Sequence, residues 1–158
     1  MANIEELKSK YIKLNQAFEN IHEVSKADDI DKSLLLCFDN ETSHLQSEIE
    51  IESDEFTAVC PWTNLPDYGN LKIIYIPDQL LIELKSLKYY LMQYRNVGIV
   101  QEYAADQVLN DLVKICKPKK MTVLLQYKIR GGVLTTVKSS YEQNWLFSLS
   151  VCYPEALI

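Results

Sequence analysis

The chain has 158 residues, 47% of them hydrophobic, with ten tyrosines, four glycines and a formal net charge of −6. That length suits one domain with a buried core, the acidic balance opposes direct binding to nucleic acid, and no apolar run approaches the roughly 20 residues of a membrane-spanning helix. The charge is uneven: residues 1–60 hold fourteen acids and five bases, net −9, whereas residues 61–158 hold eight acids and eleven bases, net +3. The second part therefore has room for a local phosphate-binding patch.

In chain order, Ile4, Leu7, Tyr11, Leu14, Phe18 and Ile21 recur at spacings of three and four and predict an amphipathic N-terminal helix. Its stripe suits packing on its own domain, on a neighbouring copy or in a coiled coil. The opening MANIEELKSKY is charged and lacks the apolar stretch of an export signal. With four scattered cysteines (Cys37, Cys60, Cys116 and Cys152) and no CxxC pair, it sets the expectation of reduced thiols in a cytoplasm. Residues 25–44 are polar and Asp-rich and read as a connection.

SEIEIES (47–53) alternates like a half-exposed strand, and LKIIYIP (71–77) reads as a second strand closed by Pro77. LLIELKSLKYYLMQYR (80–95) has helical period through Leu80, Leu84, Leu87, Leu91 and Tyr94. EYAADQVLNDLVKIC (102–116) predicts another helix, ended by Lys117-Pro118. KMTVLLQYKI (120–129) and GVLTTVKS (132–139) predict two strands around a tight Arg130-Gly131-Gly132 turn. The expected fold is a single α+β domain: a four-stranded antiparallel sheet with two helices on one face, core 45–140. Residues 1–44 supply the first helix and connection, and 141–158 an apolar extension without an assigned place. So small a sheet leaves open edges, which favour closed rings of copies with sites between subunits.

Three stretches carry candidate chemistry. In EFTAVCPWTNLPDYG, Cys60 precedes a proline and Asp67 follows seven residues on. A thiol that attacks a substrate must be held as thiolate, while a carboxyl beside it is better suited to supply a proton to the substrate. A structural Cys-Pro is the competing reading. In ELKSLKYY (83–90), Lys85 and Lys88 project from one side of a helix and, with Arg130, could grip a phosphate; an ordinary solvated face would look the same. Glu102 either complements the dipole at a helix start or bonds the paired N–H groups of a guanine-like base.

Together these stretches resemble the 7-cyano-7-deazaguanine reductases, the nitrile reductases of queuosine biosynthesis in tRNA modification. The resemblance spans about Glu55 to Gly132 through FTAVCPWTNLPD, ELKSLKYY, YRNVG, Gln101-Glu102 and RGG. ELKSLKYY matches the family's nicotinamide-cofactor signature at every place. The resemblance implies the tunnelling fold, a homo-oligomer of rings with pockets between neighbours, and NADPH as cofactor. It implies that Cys60 adds to the nitrile of a 7-deazapurine base to form a thioimide and that Asp67 protonates the nitrogen. Glu102 and Gln101 would hold the base with Ile82, Glu83 and Leu84, and Lys85, Ser86, Lys88 and Arg130 would hold the cofactor. No metal is implied. Gln101 stands where many family members carry histidine, and a glutamine cannot carry the proton of an imidazolium.

Three other readings are weighed against this one. An amidinotransferase relative acting on the nitrile base in tRNA should lack the cofactor signature. A non-catalytic purine-binding protein of the same fold is consistent with Gln101. A zinc-dependent cyclohydrolase would need Cys or His partners at ligand spacing to Cys60, and none is present.

Overall fold

The computed structural model of the chain describes residues 24–143 together with Ile12. Apart from Ile12, the predicted N-terminal helix lies outside the described residues, as does the extension from 144 to 158. The architecture is α+β. A six-stranded sheet in the order β1-β6-β3-β4-β7-β8 is built on four long antiparallel strands: β3 Ile49–Val59, β4 Pro66–Ile76, β7 Lys120–Tyr127 and β8 Thr136–Glu142. Two short strands, β1 Ser25–Lys26 and β6 Val97–Gly98, extend one edge by parallel pairing, and β2 Cys37–Asp39 pairs with β5 Leu80–Ile82 in a separate ribbon. Two helices, α1 Leu84–Gln93 and α2 Gln101–Cys116, connect β4 to β7.

Alternation explains which face is buried. Leu71, Ile73 and Tyr75 of β4 and Met121, Val123, Leu125 and Tyr127 of β7 are all buried, at every second residue. They pack with Leu87 and Tyr90 of α1, with Tyr94 just beyond it, and with Ala105, Val108 and Leu112 of α2. Within β3 the buried side changes parity at an irregularity between Ser53 and Phe56, where two residues oppose the single Asn70. Before it Ile49 and Ile51 pack on the core; after it Phe56 and Ala58 do so. A bulge of this kind keeps one face apolar while advancing the strand by one residue.

The sheet differs from expectation in width and in strand length. Four strands were expected and six form, because the polar 25–44 stretch and Val97-Gly98 add short edge pairs. The β3–β4 hairpin runs past the predicted ends of both strands and leaves only residues 60–65 as a loop. FTAV is strand-forming, Pro66 is tolerated as the first residue of β4, and Gly69 accepts the close approach of β7, where a Cβ would lie 2.9 Å from the Gln126 carbonyl oxygen. Helix α1 begins four residues later than its periodicity suggests, because Glu83 caps it and Leu80–Ile82 are drawn into β5. The turn between β7 and β8 is also wider, although Arg130 and Val133 still bridge across Gly131 and Gly132. These two glycines have φ of +58° and +81°, a conformation that side chains disfavour.

Candidate active site

The register of the hairpin brings the candidate thiol and carboxyl together. Asp67 lies opposite Ala58, and Cys60 follows two residues after Ala58 on the same face. The loop is closed by main-chain bonds: Cys60 N–H donates to the Leu65 carbonyl at 2.9 Å, and Thr63 and Asn64 N–H both donate to the Cys60 carbonyl, at 3.3 and 2.9 Å. Asn64 takes the left-handed turn position, with φ +52°, which asparagine tolerates better than most residues.

Two further elements wall the site. The Ile99 N–H donates to the Val59 carbonyl at 3.1 Å, which ties the entry of α2 to the end of β3 and places Gln101 and Glu102 beside Cys60. Tyr127 Oη donates to the Gln101 carbonyl at 3.3 Å. From the β7–β8 turn, Arg130 donates through Nη1 to Asp67 Oδ1 and through Nη2 to Thr63 Oγ1, each at 2.8 Å. The open cavity between these elements is about 370 Å³, and its walls include Cys60, Asp67, Gln101, Glu102 and Arg130, with the exposed Trp62 also lining it.

The electrostatics favour an anionic sulfur. Burial alone would raise the Cys60 thiol, but the Thr63 hydroxyl, the N–H groups of Trp62 and Thr63, and the Arg130 guanidinium outweigh it and hold the thiol below its ordinary value. Contacts to Cys60 and Asp67 in turn push Arg130 further up. Burial, with Asp67 and Glu102 near, raises Tyr127, which keeps its hydroxyl a donor. This arrangement sets a thiol favoured as thiolate next to a carboxyl, with polar groups of α2 lining the same cavity, which is what nucleophilic catalysis requires.

The remaining sequence candidates are elsewhere in the same chain. Ile82 is buried in the core, its N–H on Tyr75 Oη at 3.3 Å. Glu83 caps α1, its two oxygens accepting the Lys85 and Ser86 N–H groups at 2.9 and 2.6 Å, and these bonds hold its carboxyl below the usual range. The Ser86 hydroxyl donates to the Glu83 carbonyl at 2.7 Å and accepts the Leu36 N–H at 3.0 Å. Leu84 and Lys85 are exposed, with the Lys85 ammonium 6.0 Å from the Tyr89 ring centre. Lys88 faces a second cavity of about 310 Å³ between α1 and the β3 bulge. None of these six residues lines the Cys60 cavity. Arg130, assigned with Lys85 and Lys88 from the sequence, sits instead against Cys60 and Asp67.

Thr63 and Tyr127 are site residues that the sequence reading left without a role. Thr63 was visible within the quoted CPWT segment, but nothing in its spacing indicates Arg130 as its partner. Among the described residues no three His, Cys, Asp or Glu side chains cluster as a metal site, and no helix is long and apolar enough to cross a membrane.

A family model described as QueF-like protein matches residues 66–145. The chain is 50% identical over 109 residues to a protein of Chloroherpeton thalassium named NADPH-dependent 7-cyano-7-deazaguanine reductase, covering 69% of this chain and 94% of that protein. Proteins of the same name from Caldicellulosiruptor bescii and Chlorobaculum tepidum are 49% and 44% identical; the matches cover 72% and 73% of this chain and 87% and 98% of those proteins. The fold is similar to the crystal structure of the archaeosine synthase QueF-Like in the apo form. That match has a TM-score of 0.58 at 20% identity and covers 63% of this chain and 98% of the other.

Proposed function

The chain belongs to the QueF-like protein family, and we propose that it is an NADPH-dependent 7-cyano-7-deazaguanine reductase working through Cys60. The observation that carries this reading is the shared cavity: Cys60, Asp67, Gln101, Glu102 and Arg130 come from three separate parts of the chain and meet in one place.

The Cys60 thiolate adds to the nitrile carbon, forming a C–S bond, and a proton relayed through the Asp67 carboxyl goes to the nitrogen, giving a thioimide. Two bound NADPH molecules in succession supply the hydrides that, with two protons, convert the nitrile to the aminomethyl group. Cys60 leaves as thiolate when the C–S bond breaks between these reductions, and the contacts that lower its pKa also make it a better leaving group. Glu102, exposed in the first turn of α2, is placed to accept paired N–H groups from the base, with Gln101 beside it.

The donor set on α1 fits a phosphate-bearing cofactor in part. Lys85 and Lys88 are exposed and lie on one side of the helix, which suits the extra phosphate of NADPH. The Ser86 hydroxyl is engaged with Leu36 and Glu83, so Ser86 would act by orienting the start of the helix. Arg130 would act on Cys60 and Asp67 before it acts on a phosphate.

In a single chain the α1 residues and Cys60 line different cavities. We therefore propose a homo-oligomer in rings, in which Glu83, Leu84, Lys85 and Lys88 of one copy complete the Cys60 cavity of the next, with the buried Ile82 supporting them from its own core. The exposed Trp62 and Val133 lining that cavity supply apolar surface for such packing. A cytoplasmic location belongs to the same proposal, since the chemistry needs reduced Cys60.

The test is NADPH oxidation on mixing with 7-cyano-7-deazaguanine. Wild type should oxidise NADPH and show a new absorbance band from the thioimide, and Cys60→Ala should lose both. NADPH oxidation that persists in Cys60→Ala would overturn the covalent route.

A further inference from the structure

Thr63 has no part in the reaction as derived so far, yet its side chain is bonded more closely than an exposed loop threonine requires. Its Oγ1 accepts from Arg130 Nη2 at 2.8 Å and from the Leu65 N–H at 3.4 Å. A hydroxyl oxygen has two lone pairs and one proton, so with both lone pairs engaged the O–H is left to donate. The Thr63 N–H is bonded to the Cys60 carbonyl at 3.3 Å, so Thr63 belongs to the turn that carries Cys60.

We propose that Thr63 is a positioning residue that anchors the Arg130 guanidinium at the cavity it shares with Cys60 and Asp67, and so holds that cation beside the sulfur. The proposal rests on reading Cys60 as the nucleophile. Arg130 spans two acceptors, Asp67 through Nη1 and Thr63 through Nη2, so its guanidinium is fixed in both position and plane. Without Thr63 it would keep one anchor and could rotate away from the thiol. Among the contacts that favour the Cys60 thiolate, the Thr63 hydroxyl is the largest. The β-branch of threonine restricts χ1 and keeps the hydroxyl aimed. A packing role does not explain the residue, because Thr63 is exposed.

The test reads the thiol directly. Wild type, Thr63→Val, Thr63→Ser and Cys60→Ala are alkylated with iodoacetamide across a pH series, and the rate of modification at Cys60 is followed by intact mass and peptide mapping. Cys60→Ala identifies the signal. Thr63→Val should raise the alkylation midpoint by about one pH unit and slow the reaction at pH 7 roughly tenfold, with an unchanged plateau at high pH, as expected from loss of one hydrogen bond to a charged group. Thr63→Ser should restore most of the difference. A valine variant with the wild-type midpoint, or a serine variant that behaves like valine, overturns the proposal. If Thr63→Val shifts the midpoint but the wild-type protein forms no adduct with the cyano base, the linkage stands and the reductase reading fails.

Discussion

Cys60 at the mouth of the β3–β4 hairpin and Cys116 in the last turn of α2 are both buried, at 8% and 1% exposure, yet their surroundings act on the sulfur in opposite directions. Around Cys116, burial among apolar side chains with Cys37 near pushes the thiol up to about 12. Around Cys60, burial also raises the thiol, but donors from the loop and from Arg130 reverse the sign. What separates the proposed nucleophile from a core filler here is the set of donors that the fold brings, not solvent exposure. The same contrast holds for carboxylates. Asp67 lines a cavity and has one cation, Arg130, at 2.8 Å, whereas Asp111 is enclosed by Tyr90 Oη at 2.9 Å, Gln107 Nε2 at 3.1 Å and Lys32 Nζ at 3.2 Å. The first arrangement can exchange partners during a reaction; the second holds α1, α2 and the 25–39 segment together.

The largest effect should come from exchanging the two thiols. Cys60→Ala is expected to reduce NADPH oxidation by roughly 10⁴-fold or more, as loss of a nucleophile does. Cys116→Ala should leave turnover near wild type and lose about 1 kcal/mol in urea unfolding. Comparable losses of turnover in the two variants would break the contrast.

Next, Arg130→Met removes the cation from the hairpin. Steady-state assay should show a 10- to 100-fold fall in turnover, and the Cys60 alkylation midpoint should rise by about one to two pH units, because an adjacent cation favours the thiolate by that order. Asp111→Ala should instead lower urea stability by about 2–3 kcal/mol, the cost of leaving Lys32 and the Tyr90 hydroxyl without their acceptor, while the Cys60 midpoint stays fixed.

The smallest effect, which most sharpens the contrast, is the pH dependence of stability. A thiol raised in the folded state, such as Cys116, contributes stability that is present below the ordinary thiol value of 9.0 and is lost as pH rises toward about 12. The depressed Cys60 contributes in the opposite sense: its share is present above the unfolded thiol range and is lost as pH falls through the folded value. Urea melts of Cys116→Ala against wild type should therefore converge as pH is raised from 8 toward 11. Melts that stay parallel would remove the burial argument for Cys116.

Much of the core was legible in the chain. Periodicity marked α2 almost to the residue, and the punctuation of Pro77 and of the Arg130-Gly131-Gly132 turn marked LKIIYIP and KMTVLLQYKI as strands. The hairpin ends were not legible, since PDYGN has turn composition but pairs as strand once Gly69 meets β7. The pairing of Cys60 with Asp67 follows from register across a bulge, and spacing alone does not encode register. Glu83 shows the same limit: its position in a signature gives its place but not its bonds, and the structure occupies its carboxylate with the start of α1. Arg130 and Thr63 meet only in three dimensions, so their link had no local signal.

The covalent step can be tested directly by weighing the intact protein after incubation with 7-cyano-7-deazaguanine in the absence of NADPH. Addition of a thiol to a nitrile loses no atoms, so the wild-type protein should gain the full mass of the base, on Cys60 and not in Cys60→Ala. No mass gain under conditions where the base binds reversibly, or a gain that survives in Cys60→Ala, would contradict attack by this sulfur.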